Sequence, residues 1–498
     1  MRVLAVLCLT AVAASACSGE RPVLVREPRP EQTAPPVAEQ VVDTASDAPL
    51  ADAGSGEAVD PTDGGPVVRV GVVGSPVLDP VLVSAVDPTG MAVLDLVTDG
   101  LTEWDPQRNT WAPALADDVW TDDGGRSWRF TLDGASFSDG TAIRADDVVR
   151  SFERVLGDGL SLPATRLEMV DAIVAVDPTT VAFELSEPFA AFPALVSSPL
   201  YGIVPGGPVD GRVTSGPFRV AGDGRLVSDR FAHAFHLVSI ANEASAVEAF
   251  RRGDLDVVFV SAGHVGPTTV SVASAVEIHY ALNASAPVLA DVEHRRAVVD
   301  AVSRTRVTEA AFGEGAGAIG RLVPAALACA APCGGDQPEE AADLGPISLV
   351  YVAEPTGREE ALADAVVGEL ADAGIDAVAT GLTLDDFVDQ VSAGEHEMVR
   401  TGWVGLFPSA DSQLAPYRST SPDNVAGFSS GTFDDLLTAA RTTGGASLHG
   451  EAQAMLQDEA VVLPVARLRV RALVSDRIAS IELRHDGSID LDSLRLAN

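Results

Sequence analysis

"MAVLDLVTDGLTEWDPQRNTWAPALADDVWTDDGGRSWRFTLDGASFSDGTAIRADDVVRSFERVL" runs from Met91 to Leu156. Its first residues carry apolar side chains at Met91, Leu94 and Val97, the spacing of one helical face, so a helix over Met91 to Thr98 is expected. After the turn "DDGG" the segment "SWRFTL" alternates as a strand does. "ADDVVRSFERVL" returns to helical spacing. Val148, Val149, Phe152 and Leu156 share a face, and Asp146 and Asp147 occupy the first turn, where acids suit the helix dipole. Helix, strand and helix joined by Asp-Gly turns predict a mixed α/β body.

The pattern extends in both directions. "VVRVGVV" from Val67 reads as a buried strand that stops at Gly74, and "SPVLDP" as the turn after it. Pro346 to Thr380 reads as strand, helix and strand, with Leu362, Val366 and Leu370 as the buried stripe and Gly374 at the helix end. "HEMVRTGW" is a short strand. It leads into "TGWVGLFPSADSQ", Thr401 to Gln413, a loop that sets Trp403, Leu406 and Phe407 beside one acid, Asp411.

The 498 residues have a net charge of −39, and all 33 basic residues are arginines. So acidic a surface argues against nucleic acid and anionic lipid as partners. A hydrophobic content of 46% supports a substantial core, and a body of this length divides into lobes.

The amino terminus has its own logic. Arg2 precedes an apolar run from Val3 to Ala13 that is too short to span a bilayer and is followed by small residues, which reads as a signal peptide over residues 1–17. Two readings of the cleavage before Cys17 compete: "ASA" fits an ordinary small-residue site, and small residues followed by cysteine resemble the lipobox of bacterial lipoproteins, although Ala14 stands where leucine is usual. In an oxidising compartment "CAAPC" favours a disulfide between Cys329 and Cys333, with a metal or redox role as the second reading. Cys17 is then left over, which favours lipid on it and anchorage to the outer face of the cell membrane. Residues 18–66 are rich in Pro, Ala, Asp and Glu and lack a period, as a disordered tether does.

"GLTEWDP", "PALADDVWTDDGGRSWRFTL" and "FSDGTAIRADDVVRSFERV" follow one another in an order that resembles the family 5 extracellular solute-binding proteins of ABC transporters, the oligopeptide, dipeptide and nickel class. "TSGPFRV" (Thr214 to Val220), "AVEAFRRGDLDVVFV" and "DVEHRRAVVDAVSRTRV" (Asp291 to Val307) are similar to later segments of that family. Arg144 stands where the family usually has a helix-capping threonine, and an Asn-Pro-x-Tyr-Trp element is missing after "TSGPFRV".

The resemblance implies a two-lobed α/β fold of the periplasmic-binding-protein type. It is the type II form, of the large cluster with an extra subdomain in the first lobe. Lobe 1 is expected over 67–260 with the subdomain at about 100–175, lobe 2 over 261–463, and a return to lobe 1 over 464–498. Hinge strands are expected near Phe259 to Ala262 and Leu463 to Arg467. A monomer that traps a small solute, peptide-like or otherwise, and delivers it to permease subunits follows from the family. Its ligand contacts would fall at Gly74 and Ser75, at Ser215, Gly216, Pro217 and Phe218, and at Trp403, Leu406, Phe407 and Asp411.

Where the family commonly runs "DYPDP" after "GW", Leu406 falls on the first acid, which in peptide binders pairs with the ligand's ammonium. Loss of that charge-assisted hydrogen bond, roughly 1.5 to 3 kcal/mol, implies an apolar, modified or cationic ligand over a free peptide. Asp411 is the one nearby acid able to replace it. Plain core packing is the alternative for Trp403 and Phe407, and an accessory lipoprotein that has lost transport is the alternative for the whole chain.

No enzyme, metal or cofactor is expected. "HAFH" at His233 and His236 falls in a probable strand, and no lysine is present for a phosphate loop. Ser215 lacks the "GxSxG" setting of a nucleophile.

Overall fold

The computed structural model describes residues 23–25, 65–105, 108, 110–157, 161–261, 268–324 and 344–497. Cys17, Cys329 and Cys333, the signal segment, most of the tether and Ala262 lie outside the described residues.

Val67–Val73 forms the first strand of a large sheet. It runs parallel to Ala234–Ile240 on one side and to Val257–Phe259 on the other, and its run of valines suits a strand covered on both faces. The opposite end of the same sheet repeats the arrangement, with Ile347–Val352 parallel to both Ala377–Leu382 and Met398–Val404. The helix Arg358–Asp372 covers that end with a stripe of Leu362, Val366 and Leu370, all buried. Gly374 follows it at a φ of 81°, the left-handed conformation glycine adopts without strain.

Two long antiparallel strands join these ends. Thr269–Leu282 pairs with Met398–Val404, Val462–Val474 pairs with Val257–Phe259, and the two pair with each other. One sheet therefore spans both lobes of a type II fold. The central ladder is interrupted. Ala273 faces Arg469, but the next partners are Glu277 and Arg467, and a second register shift separates Ile278 from His279. Such irregularities bend a strand locally.

The subdomain has a five-stranded sheet in the order Val23–Val25, Val170–Asp177, Thr180–Leu185, Ser127–Thr131, Asp118–Trp120. Its edge strand, Val23–Val25, comes from the segment whose composition reads as a tether. Helix Ala145–Gly157 packs Val148, Val149 and Phe152 inward, and Val155 lies deeper than Leu156, which is only half-buried. No threonine caps this helix. The Asp147 carboxylate accepts from the Arg144 N–H at 2.8 Å, the reciprocal half of a capping box, and the Asp147 N–H goes to the Arg144 carbonyl at 2.9 Å.

The last strands, Ile478–Leu483 and Ile489–Leu496, form a hairpin whose apolar residues join Val68, Val70 and Phe218 in one core. Asp256 fastens it. Its buried carboxylate accepts from Arg69 Nε at 2.9 Å and from Arg477 Nη1 at 2.9 and 3.0 Å. Burial alone raises a carboxyl's pKa, but the bonds from Arg69 outweigh it and hold Asp256 below the usual range.

Candidate functional site

Trp403 is the last residue but one of Met398–Val404, and the loop after the strand carries Leu406 and Phe407 across to the other lobe. Both side chains are buried in the cluster that holds Met91, Leu94, Trp128 and Phe152. The Phe407 ring lies 6.4 Å from Trp104, which in turn meets His485 edge-on at 6.2 Å. His485 also hydrogen-bonds the backbone of Leu406, and burial lowers its pKa. Residues from three distant parts of the sequence thus meet at the loop after Trp403.

Trp403 is 7% exposed. The Arg166 guanidinium from the subdomain stacks over its ring, with Cζ 3.6 Å from the centroid. Beneath Trp403 lies a cavity of about 50 Å³ lined by residues that include His279, Thr401, Gln413, Tyr417 and Asp423. His279 Nε2 meets the Tyr417 hydroxyl at 2.8 Å, and burial pushes the imidazole pKa down to about 3. The ring is therefore neutral at ordinary pH. Glu277, on the same strand, is buried and paired with Arg467, and Gln413 Nε2 donates to its Oε1 at 2.9 Å. Burial raises Glu277 to about 7 against the pull of Arg467.

Asp411 is engaged by an arginine. It sits in the first turn of the helix Ala410–Leu414, and Arg441 Nε donates to both its oxygens at 2.9 and 3.0 Å. Arg441 also pairs with Glu187 of the opposite lobe, as does Arg418 at 3.4 Å. A backbone bond of 2.8 Å from Ala190 N–H to the Arg441 carbonyl adds to this contact.

The earlier segments serve differently. Ser215 Oγ donates to the Ile203 carbonyl at 2.5 Å and accepts from the Asp99 N–H at 3.0 Å, so it positions the stretch that leads to Trp104. Gly216 packs so tightly on the end of the helix Pro88–Val97 that a Cβ there would come within 2.5 Å of the Thr98 nitrogen. Pro217 is half-buried beside it, and Phe218 is a core residue stacked on Phe231 at 5.5 Å. Gly74 and Ser75 are exposed at the end of the first strand and take no part in the aromatic cluster. His236 is exposed, while His233 lies against Phe218 at 5.8 Å.

The structure therefore brings together Trp403, Leu406 and Phe407, with Asp411 beside them in an ion cluster. It adds Trp104, Arg166, Glu187, Arg441 and His485. Trp104 stands in the quoted "GLTEWDP", a signal that was available. Nothing local marks the other four.

The comparisons agree with this architecture. Residues 110–424 match the model of the bacterial extracellular solute-binding proteins, family 5 (middle). The chain belongs to that family. A probable di/tripeptide-binding protein 5 of Pseudomonas aeruginosa is 23% identical over 81% of this chain and 90% of its own length. The periplasmic murein peptide-binding protein MppA of Escherichia coli is 21% identical over 70% of this chain and 78% of its own. Among solved structures, HbpA2 of Haemophilus parasuis superposes with a TM-score of 0.73 at 18% identity, covering 87% of this chain and all of that one. The unliganded open form of MppA gives 0.70 at 19% identity, over 84% and 95%. These establish the two-lobed fold. Among the described residues no helix is long and apolar enough to cross a membrane.

Proposed function

We propose that this family member captures a small organic solute, peptide-like or otherwise, between its lobes and delivers it to the permease of an ABC transporter. It acts as a monomer held at the outer face of the cell membrane by lipid on Cys17. The lobes extend over 67–260 and 261–463 with a return over 464–498, and the hinge strands lie near Phe259 to Ala262 and Leu463 to Arg467, the latter beside the register break between Ala273 and Glu277. The observation that carries this reading is the loop from Trp403 to Phe407, which leaves one lobe and lodges in the other. A solute held there touches both lobes at once and is bound by their closure. The relatives' names, a di/tripeptide binder and a murein peptide binder, support a solute of that size.

The test is a thermal-shift screen of the purified protein against peptides, amino-acid conjugates, oligosaccharides and cationic or anionic metabolites. A solute that binds only the native state at about a hundred times its dissociation constant stabilises by about 2.7 kcal/mol. Silence across the whole panel from a cooperatively melting protein contradicts the reading and favours an accessory role.

A further inference from the structure

Several polar groups at the Trp403 wall are buried without partners. Arg166 Nε and Nη2, Trp403 Nε1, His279 Nδ1 and Gln413 Oε1 all lack a hydrogen-bond partner. Buried polar groups in folded proteins are normally bonded, so a group of them around one cavity needs an explanation. Their chemistry is one-sided. Arginine and tryptophan N–H groups only donate. His279 Nδ1 donates as well in the tautomer whose Nε2 accepts from Tyr417. Against these four donors stand two orphan acceptors, Gln413 Oε1 in the cavity wall and Oε2 of Glu277, which Gln413 bonds.

The charge is one-sided too. Arg166 forms no ion pair among the described residues, and burial depresses its pKa to about 10, with Asp423 and Glu168 acting only from a distance. In a chain of net charge −39 this guanidinium has been left free at the lobe interface. Of the acids near the loop, Arg441 occupies both oxygens of Asp411, and Arg467 and Gln413 hold Glu277, while Asp423 in the cavity wall attracts Arg166 without an ion pair.

Resting on the solute-binding reading above, we propose that the solute is recognised through a carboxylate, accepted by Arg166 and the Trp403 N–H beside this cavity. The cavity's 50 Å³ is several times the roughly 10–15 Å³ that one water requires, so a small planar anion has room. A guanidinium offers a carboxylate two parallel N–H bonds, and stacking on Trp403 fixes the plane of the fork. The bound anion neutralises Arg166 and satisfies donors that the protein leaves empty. The ligand is then anionic at this point, unlike the apolar, modified or cationic ligand that the resemblance implies, and Leu406 becomes intelligible, since an acid there would repel the ligand.

Two probes separate the possibilities in calorimetric titrations of the full chain. N-acetyl-alanyl-alanine has a carboxylate and no ammonium; alanyl-alanine amide has the reverse. The expected result is binding of the acetylated probe at least roughly tenfold tighter than the amide, consistent with a charge-assisted pair. Arg166→Gln removes that preference, and Arg166→Lys, which keeps the charge but not the fork, restores part of it; unchanged melting of both variants shows that they fold. Preference for the amide, or an Arg166→Gln protein that binds the acetylated probe unchanged, overturns the carboxylate site while leaving a solute-binding protein intact. Binding of neither probe also overturns it, and the wider reading is then decided by the solute screen alone.

Discussion

Phe407 and Trp104 face each other across the lobe interface with ring centroids 6.4 Å apart. The loop that follows the Trp403 strand therefore belongs to the core of the opposite lobe as much as to its own. Removing a buried phenylalanine ring costs about 3 kcal/mol or more, from lost transfer energy and the cavity left behind. Phe407→Ala is expected to lower the unfolding free energy in urea by that amount. A change under about 0.5 kcal/mol would show that the loop is not packed there in solution.

Arg441 holds Asp411 within one lobe and Glu187 across the interface. Its removal strands a buried carboxylate, whereas removal of Glu187 leaves Arg441 still paired. Arg441→Met is expected to destabilise by about 3–5 kcal/mol. Glu187 is 41% exposed, so Glu187→Gln costs about 1 kcal/mol or less. Equal effects of the two substitutions in urea denaturation would contradict this division.

Glu277 gives the stability a pH dependence of known sign. Its pKa rises from 4.5 to about 7 on folding, so between those values the folded protein holds a proton that the unfolded chain has lost. Stability from this group is full below pH 4.5, falls as pH rises through the window, and is level above it. His279, whose pKa drops to about 3, works in the opposite direction below pH 6.5 but does so in wild type and variant alike. Denaturation at pH 5, 6, 7 and 8 should show Glu277→Gln gaining on the wild type, with a slope of up to about 1.4 kcal/mol per pH unit. Parallel curves would refute the assignment.

Asp256 ties the first strand to the carboxy-terminal hairpin through Arg69 and Arg477. Asp256→Asn leaves two guanidinium groups around a neutral amide, and a loss of about 3 kcal/mol is expected. Heat denaturation followed by limited proteolysis after residue 475 checks it, since a loosened hairpin is cut first. An unchanged melting temperature would remove Asp256 from this role.

The fold was legible because its signals are local. The valine run of Val67–Val73, the stripe Leu362, Val366 and Leu370, and Gly374 at a helix end each fix an element within a few residues of itself. Cap chemistry was legible only in outline: Arg144 marked a missing threonine, but the bond from its own N–H to Asp147 required coordinates. The site is mostly a matter of contacts between distant segments. Leu406 announced the loss of an acid, yet what fills its surroundings comes from Trp104 and His485. Asp411 looked available because Arg441 lies thirty residues later on another helix. Phe218 and Ser215, carried by a turn that resembles the family's, turned out to hold the scaffold: one is core and the other bonds backbone.

The most direct test of solute capture between the lobes is amide hydrogen exchange with and without a solute that stabilises the protein in the thermal screen. Protection is expected together at residues 401–411 of one lobe and at 99–104 and 162–166 of the other, because one ligand contacts both. Protection confined to a single lobe, or lying away from Trp403, would contradict the account.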